Sequence, residues 1–98
     1  MIKTRVKMKV TTQEQYSALQ DLLFDNSIYW GLNGSIREKS GYYRGGVYIY
    51  VYERGFTEDI FSNTTHFERH GNEEVDTNFY LKTKGTCILS LLKRKTLT

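Results

Sequence analysis

The stretch from Gly41 to Gly55, GYYRGGVYIYVYERG, limits the fold more than any other part of the chain. From Val47 to Tyr52 a β-branched residue alternates with a tyrosine, which sends Val47, Ile49 and Val51 to one face of a strand and Tyr48, Tyr50 and Tyr52 to the other. Gly45 and Gly46 open this run, and Glu53, Arg54 and Gly55 close it. A strand this apolar needs neighbours along both edges and a cover on at least one face, so it belongs at the centre of a sheet.

Other elements can be set around it. Ile2, Thr4, Val6, Met8 and Val10 alternate with Lys3, Arg5, Lys7 and Lys9, which predicts a strand over Ile2 to Val10 with one face on a core. Thr11-Thr12-Gln13-Glu14 fits a capping box with Thr11 as the cap, and a helix is expected from Gln13 to Asp25. Its stripe of Tyr16, Leu19 and Leu23 needs a sheet to lie on, and Asn26 suits a left-handed cap. Ile28-Tyr29-Trp30 reads as a short strand, joined through Asn33-Gly34 and a long glycine-rich loop to the central strand as a hairpin. Phe56, Ile60 and Phe61 suggest a further strand, and Thr65 to Arg69 a helical turn in a polar stretch. Residues 77–81 and 87–92 are apolar runs too short for periodicity to separate helix from strand, and the tail from Lys93 to Thr98 is expected to fray.

Ninety-eight residues suffice for a single domain with one core. The expected architecture is α+β: a mostly antiparallel, twisted sheet of four or five strands with one main helix packed on one face. The alternating N-terminus lacks the continuous apolar segment of a signal peptide, and Cys87 has no cysteine partner in the chain, which together point to a reducing, cytoplasmic setting without a membrane span. Net charge is only +3 but unevenly spread: the ends are basic, whereas Glu53 to Asp76 is acidic. That balance fits neither a DNA mimic nor a generic DNA binder.

No reaction can be read from the chain. His66 and His70 are four apart with Glu68 between them, in the order H-x-E-x-H without a close third ligand, so no metal site is assigned. The glycines from Gly31 to Gly46 match no phosphate-binding pattern, Cys87 lies in an apolar run where thiols are inert, and the serines form no elbow motif. Neither a cofactor nor a catalytic set is expected.

Two surfaces bear on binding. Tyr48, Tyr50 and Tyr52, with Trp30 and the loop residue Arg44, are the candidate partner-binding set, because tyrosines bury large area with few rotatable bonds. The same tyrosines could be core under a helix or the C-terminal segment, or form a homodimer seam. Lys3, Arg5, Lys7 and Lys9 are the alternative set: a row of positive charge at ~6.6 Å spacing for nucleic acid or a nucleotide, with aromatic stacking nearby. Lysines on an exposed strand also serve to discourage aggregation.

The basic strand, the pattern V-T-x-x-E-Q-x-x-A-L-Q-x-x-L-F from Val10 to Phe24, then Trp30-Gly31 and the tyrosine strand, resembles small bacteriophage-encoded proteins over about the first half of the chain. The resemblance implies a phage product that binds a host or anti-phage defence protein, or one that sequesters a nucleotide signal, and it carries over no functional residue. The leading expectation is therefore a non-enzymatic inhibitor or modulator acting by protein–protein contact in the bacterial cytoplasm.

Overall fold

The computed structural model describes residues 2–41 and 45–88. Among these residues, five strands and three helices follow in the order β1 (Val6–Val10), α1 (Gln13–Asp25), β2 (Tyr29–Trp30), β3 (Val47–Val51), β4 (Gly55–Ile60), α2 (Thr64–Arg69), β5 (Glu73–Glu74) and α3 (Thr77–Lys82). They form one sheet of order β2-β4-β3-β1-β5. β3 is central and pairs antiparallel with β1 and with β4, as its composition requires. The two outer strands correct the expectation of a mostly antiparallel sheet, because β2 runs parallel to β4 and β5 parallel to β1. The sheet is mixed, and β2 forms no hairpin with β3.

β1 begins at Val6, later than expected, because Arg5 takes a left-handed backbone with φ 59° that interrupts the alternation. Beyond it, Val6, Met8 and Val10 join Val47, Ile49, Val51 and Phe56 in the main core, roofed by Tyr16, Leu19 and Leu23 of α1 and by Tyr80 of α3. Helix α1 spans the expected residues, but its cap is Thr12: the Thr12 hydroxyl accepts from Gln15 N–H at 3.0 Å, and Gln15 Oε1 accepts from Thr11 N–H at 2.8 Å. At the other end Ser27, with φ 61°, takes the left-handed position expected of Asn26. Ile28 N–H then bonds Leu23 C=O at 2.9 Å and Ser27 N–H bonds Phe24 C=O at 3.0 Å, a Schellman termination.

Helix α2 supplies a second cover. The chain packs it on the opposite face of the sheet, where Phe67 stacks on Tyr48 with ring centroids 4.2 Å apart. Only Phe67 among its residues is buried. What holds so polar a helix down is Lys7, 5% exposed, which reaches from β1 to the end of α2. Its Nζ donates to the carbonyls of Phe67 and of His70, the latter at 3.1 Å, and lies 4.7 Å from the Phe67 ring centroid. A positive group at the carbonyl end satisfies orphan acceptors and matches the sign of the helix dipole. Asn72 adds a second anchor, its Nδ2 donating to Val6 C=O at 3.1 Å and Val51 C=O at 3.2 Å.

Two glycines fix where the loop after β2 lies. A Cβ on Gly55 would fall on the Gly31 carbonyl, and one on Gly34, itself left-handed at φ 64°, would fall on the Arg54 carbonyl. The turn containing Asn33-Gly34 therefore lies directly on the start of β4.

Replacing Lys7 by methionine keeps the stem and removes the donor. Phe67 C=O keeps the His70 N–H, but the His70 carbonyl loses its donor and α2 its charged tie to β1. Hydrogen bonds to charged groups are worth ~1.5–3 kcal/mol, so Lys7→Met is expected to lower unfolding free energy by roughly 2–3 kcal/mol in urea titration. A change under about 0.5 kcal/mol, the range of ordinary surface substitutions, would mean that Lys7 does not hold α2.

Candidate functional site

The tyrosine face is closed. Tyr48 and Tyr50 are 4% and 3% exposed beneath α2, and Tyr52 is partly buried, so the partner-binding role is corrected in favour of the other reading, core under a helix: they form a second small core. Two of the hydroxyls find partners in the α2 segment: Tyr48 OH with Thr64 Oγ1 at 3.1 Å, and Tyr52 OH with His70 Nε2 at 2.8 Å. Tyr50 OH is buried without a hydrogen-bond partner among the described residues, and burial raises it to about 12. A homodimer seam on this face would have to displace α2. Arg44 lies outside the described residues.

His70 connects these contacts. Asn72 N–H donates to its Nδ1 at 3.1 Å, so the ring proton sits on Nε2 and is given to the Tyr52 oxygen. Both ring nitrogens are occupied by these bonds, and the His66 ring lies 5.7 Å away, centroid to centroid. Burial first, then His66 and Lys7, push His70 below its ordinary value of 6.5.

The basic row does not act as one surface. Lys7 is buried against α2; Lys3 pairs with Glu73 at 3.1 Å; Arg5 Nε meets both Glu53 oxygens at 2.8 Å and holds that carboxyl below its ordinary range. Lys9 is exposed at the rim, 5.8 Å from the Phe67 ring centroid. Four evenly spaced phosphate contacts cannot be made from this arrangement.

What remains open is the other end of the sheet. Trp30, Phe56 and Ile36 form the apolar floor of a cleft of about 460 Å³, with Glu38, Ser40 and Glu58 on its walls. Trp30 is 9% exposed and lies 4.1 Å from the Phe56 ring, centroid to centroid, whereas Ile36 is 56% exposed. The cleft exists because the 31–40 loop is latched back onto α1. The buried Gln20 receives Trp30 Nε1–H at 2.8 Å and Ser40 N–H at 2.6 Å on Oε1, and its Nε2 donates to Ser40 C=O at 2.6 Å. Trp30 and Ile36 exchange both backbone bonds at 3.1 Å across the turn. Tyr16 OH donates to Glu58 Oε1 at 2.7 Å, and burial raises that hydroxyl to about 12, so this bond fixes the acid in place.

None of the family models, curated proteins or solved structures compared with this chain matches it. Function must be argued from the geometry. Of the residues singled out in the sequence, the structure brings Trp30 to this cleft, and it separates Trp30 from Tyr48, Tyr50 and Tyr52, which lie on the opposite face. Phe56, Ile36, Glu38 and Glu58 were missed. The one available signal was the apolar Ile36 inside a polar, glycine-rich loop.

The His70 arrangement has a consequence for acid stability. A histidine whose folded value lies below its unfolded one contributes stability that is complete above about pH 6.5 and is lost as pH falls through the folded value. A proton on Nδ1 would face the Asn72 N–H. The protein is therefore expected to lose stability as pH falls below about 6.5, and His70→Gln to reduce that loss, in urea titrations at each pH. Identical pH dependence in the two proteins would contradict this reading.

Proposed function

We propose that this protein is a small non-enzymatic binding protein that acts by docking on another protein through the cleft between the 31–40 loop and β4. The observation that carries the reading is the cleft in which the exposed Ile36 stands beside the edge of Trp30, with Phe56 of the main core behind them and the loop held back by the Gln20 latch. An exposed isoleucine beside a rigid tryptophan and a polar rim has the composition of an interface centre.

The phage-like pattern of the first half extends the proposal to the partner's class: a host or anti-phage defence protein, engaged in the bacterial cytoplasm. No helix among the described residues is long and apolar enough to cross a membrane. The closed tyrosine face and the divided basic row give the nucleic-acid alternative no comparable surface.

The test compares the wild-type protein with Ile36→Asp as bait in lysate from the bacterial host, with retained proteins quantified by mass spectrometry. Ile36 is largely exposed, so its replacement is expected to shift stability by no more than about 0.5 kcal/mol. A charge in the floor should lower recovery of the partner at least about tenfold, the equivalent of ~1.4 kcal/mol. Equal recovery by both baits would show that the cleft is not the docking surface.

A further inference from the structure

The outer edge of β4 is only partly paired, and the unpaired part borders the cleft. β2 accompanies β4 for two residues, Tyr29 beside Gly55 and Trp30 beside Phe56, and the chain then turns away at Gly31, whose φ is 94°. Gly55 C=O accepts from Tyr52 N–H and so faces β3, whereas Phe56 C=O accepts from Gly31 N–H and faces outward. Alternation along the strand sends the Glu58 N–H and C=O outward as well. Further along, the edge is blocked: Ile60 N–H is taken by Asp59 Oδ1 at 2.9 Å and Ile60 C=O by Asn63 N–H at 3.1 Å. Glu58 is thus left as one open rung, in the line that β2 vacates.

The surroundings of that rung are anionic above an aromatic floor. The ion pairs among the described residues join Lys3 to Glu73, Arg5 to Glu53 and Lys39 to Asp21, which leaves Glu38 and Glu58 without a cation there. Tyr16 occupies one Glu58 oxygen as a neutral donor, so the carboxylate is oriented but not neutralised. Glu58 stands opposite Ile49 on the α1 face, so a residue pairing with it from outside would put its side chain on that same face, over the cleft. A long cationic side chain matches this site at both ends. Its stem would lie on Ile36 and the exposed edge of Trp30, and its head would reach the two carboxylates.

We infer that this slot takes an extended peptide segment of the partner, one of whose residues is an arginine or lysine that exchanges two backbone hydrogen bonds with Glu58 and lays its side chain between Glu58 and Glu38. This is strand addition at a single rung with a charge-selective pocket beside it. The inference rests on the docking reading above and names the chemistry of what docks.

The test uses the ¹⁵N-labelled full chain and three synthetic probes: the blocked pentapeptide Thr-Val-Arg-Val-Thr, its counterpart with neutral citrulline for arginine, and N-acetylarginine amide. Trp30 is the only tryptophan, so its indole resonance and fluorescence report on the floor, while the Glu58 amide reports on the rung. The arginine pentapeptide is expected to shift both signals and slow hydrogen exchange at Glu58. Citrulline, or the double variant Glu38→Gln with Glu58→Gln, should weaken binding roughly five- to tenfold. N-acetylarginine amide, lacking a strand, should bind more weakly still. Unperturbed Glu58 and Trp30 signals, equal binding of citrulline, or equal binding of N-acetylarginine amide would each overturn the inference. If Ile36→Asp abolishes partner recovery but the pentapeptide leaves Glu58 unperturbed, the docking surface stands and its strand-adding occupant does not.

Discussion

All five residues of β3 are buried, and a strand with no exposed side chain obliges the chain to cover both faces of its sheet. Much of the fold follows from that. One cover, α1, is supplied in the ordinary way by a stripe of apolar residues against Val47, Ile49 and Val51. The other, α2, has too little apolar surface to stay down by burial alone and is tied by polar bonds: Lys7 at its carbonyl end, Asn72 beyond it, and the Tyr48 and Tyr52 hydroxyls along it. The tyrosines serve there as amphipathic core residues, with rings packed inward and hydroxyls bonding the cover.

With both faces sealed, the surface proposed for recognition lies at the sheet's margin. The glycine contacts at Gly34 and Gly55 lay the turn after β2 flat on β4, and Gln20 ties the returning loop to α1. Between these two attachments the apolar floor stays open and β4 loses its neighbour after Phe56. A gap at a strand edge is usually a liability, and here short length, the Asp59 and Asn63 bonds and surrounding acids confine it to one position.

How far the sequence could lead depended on how local each determinant was. Alternation in the first and central strands and the apolar stripe over Gln13 to Asp25 are local patterns, and the elements they mark are present, with β1 starting at Val6 rather than Ile2 and the N-cap and left-handed residue of α1 each one residue later than expected. The parallel partnership of β2 with β4 is a contact between segments some distance apart in the chain, with no short-range signature, and the Asn-Gly dipeptide pointed to a hairpin instead. The helical turn expected over Thr65 to Arg69 is α2, but its role as a cover was hidden for a different reason: six residues with one buried side chain produce no periodicity to show which face it packs on. Missing that cover led to both misplaced surfaces. Uncovered, Tyr48 and Tyr50 read as an interface and Lys7 as one of four equal charges; covered, they are core and helix anchor. The left-handed turn at Arg5 likewise interrupts a row that alternation alone would make regular. The cleft was the least legible feature because its walls come from β2, β4 and the 31–40 loop, which only the tertiary fold brings together.

The claim on which this account turns is that Lys7 is sealed beneath α2 while Lys9, two residues along the same strand, is open to water. Brief acetylation of the native protein with an amine-reactive ester, followed by peptide mass spectrometry, compares the two directly. Lys9, Lys82 and Lys84 are expected to label together, and Lys7 at least about tenfold more slowly, limited by opening of α2. Labelling of Lys7 at the same rate as Lys9 would mean that the face is open, and would return both the lysine row and the tyrosines beneath α2 to the surface.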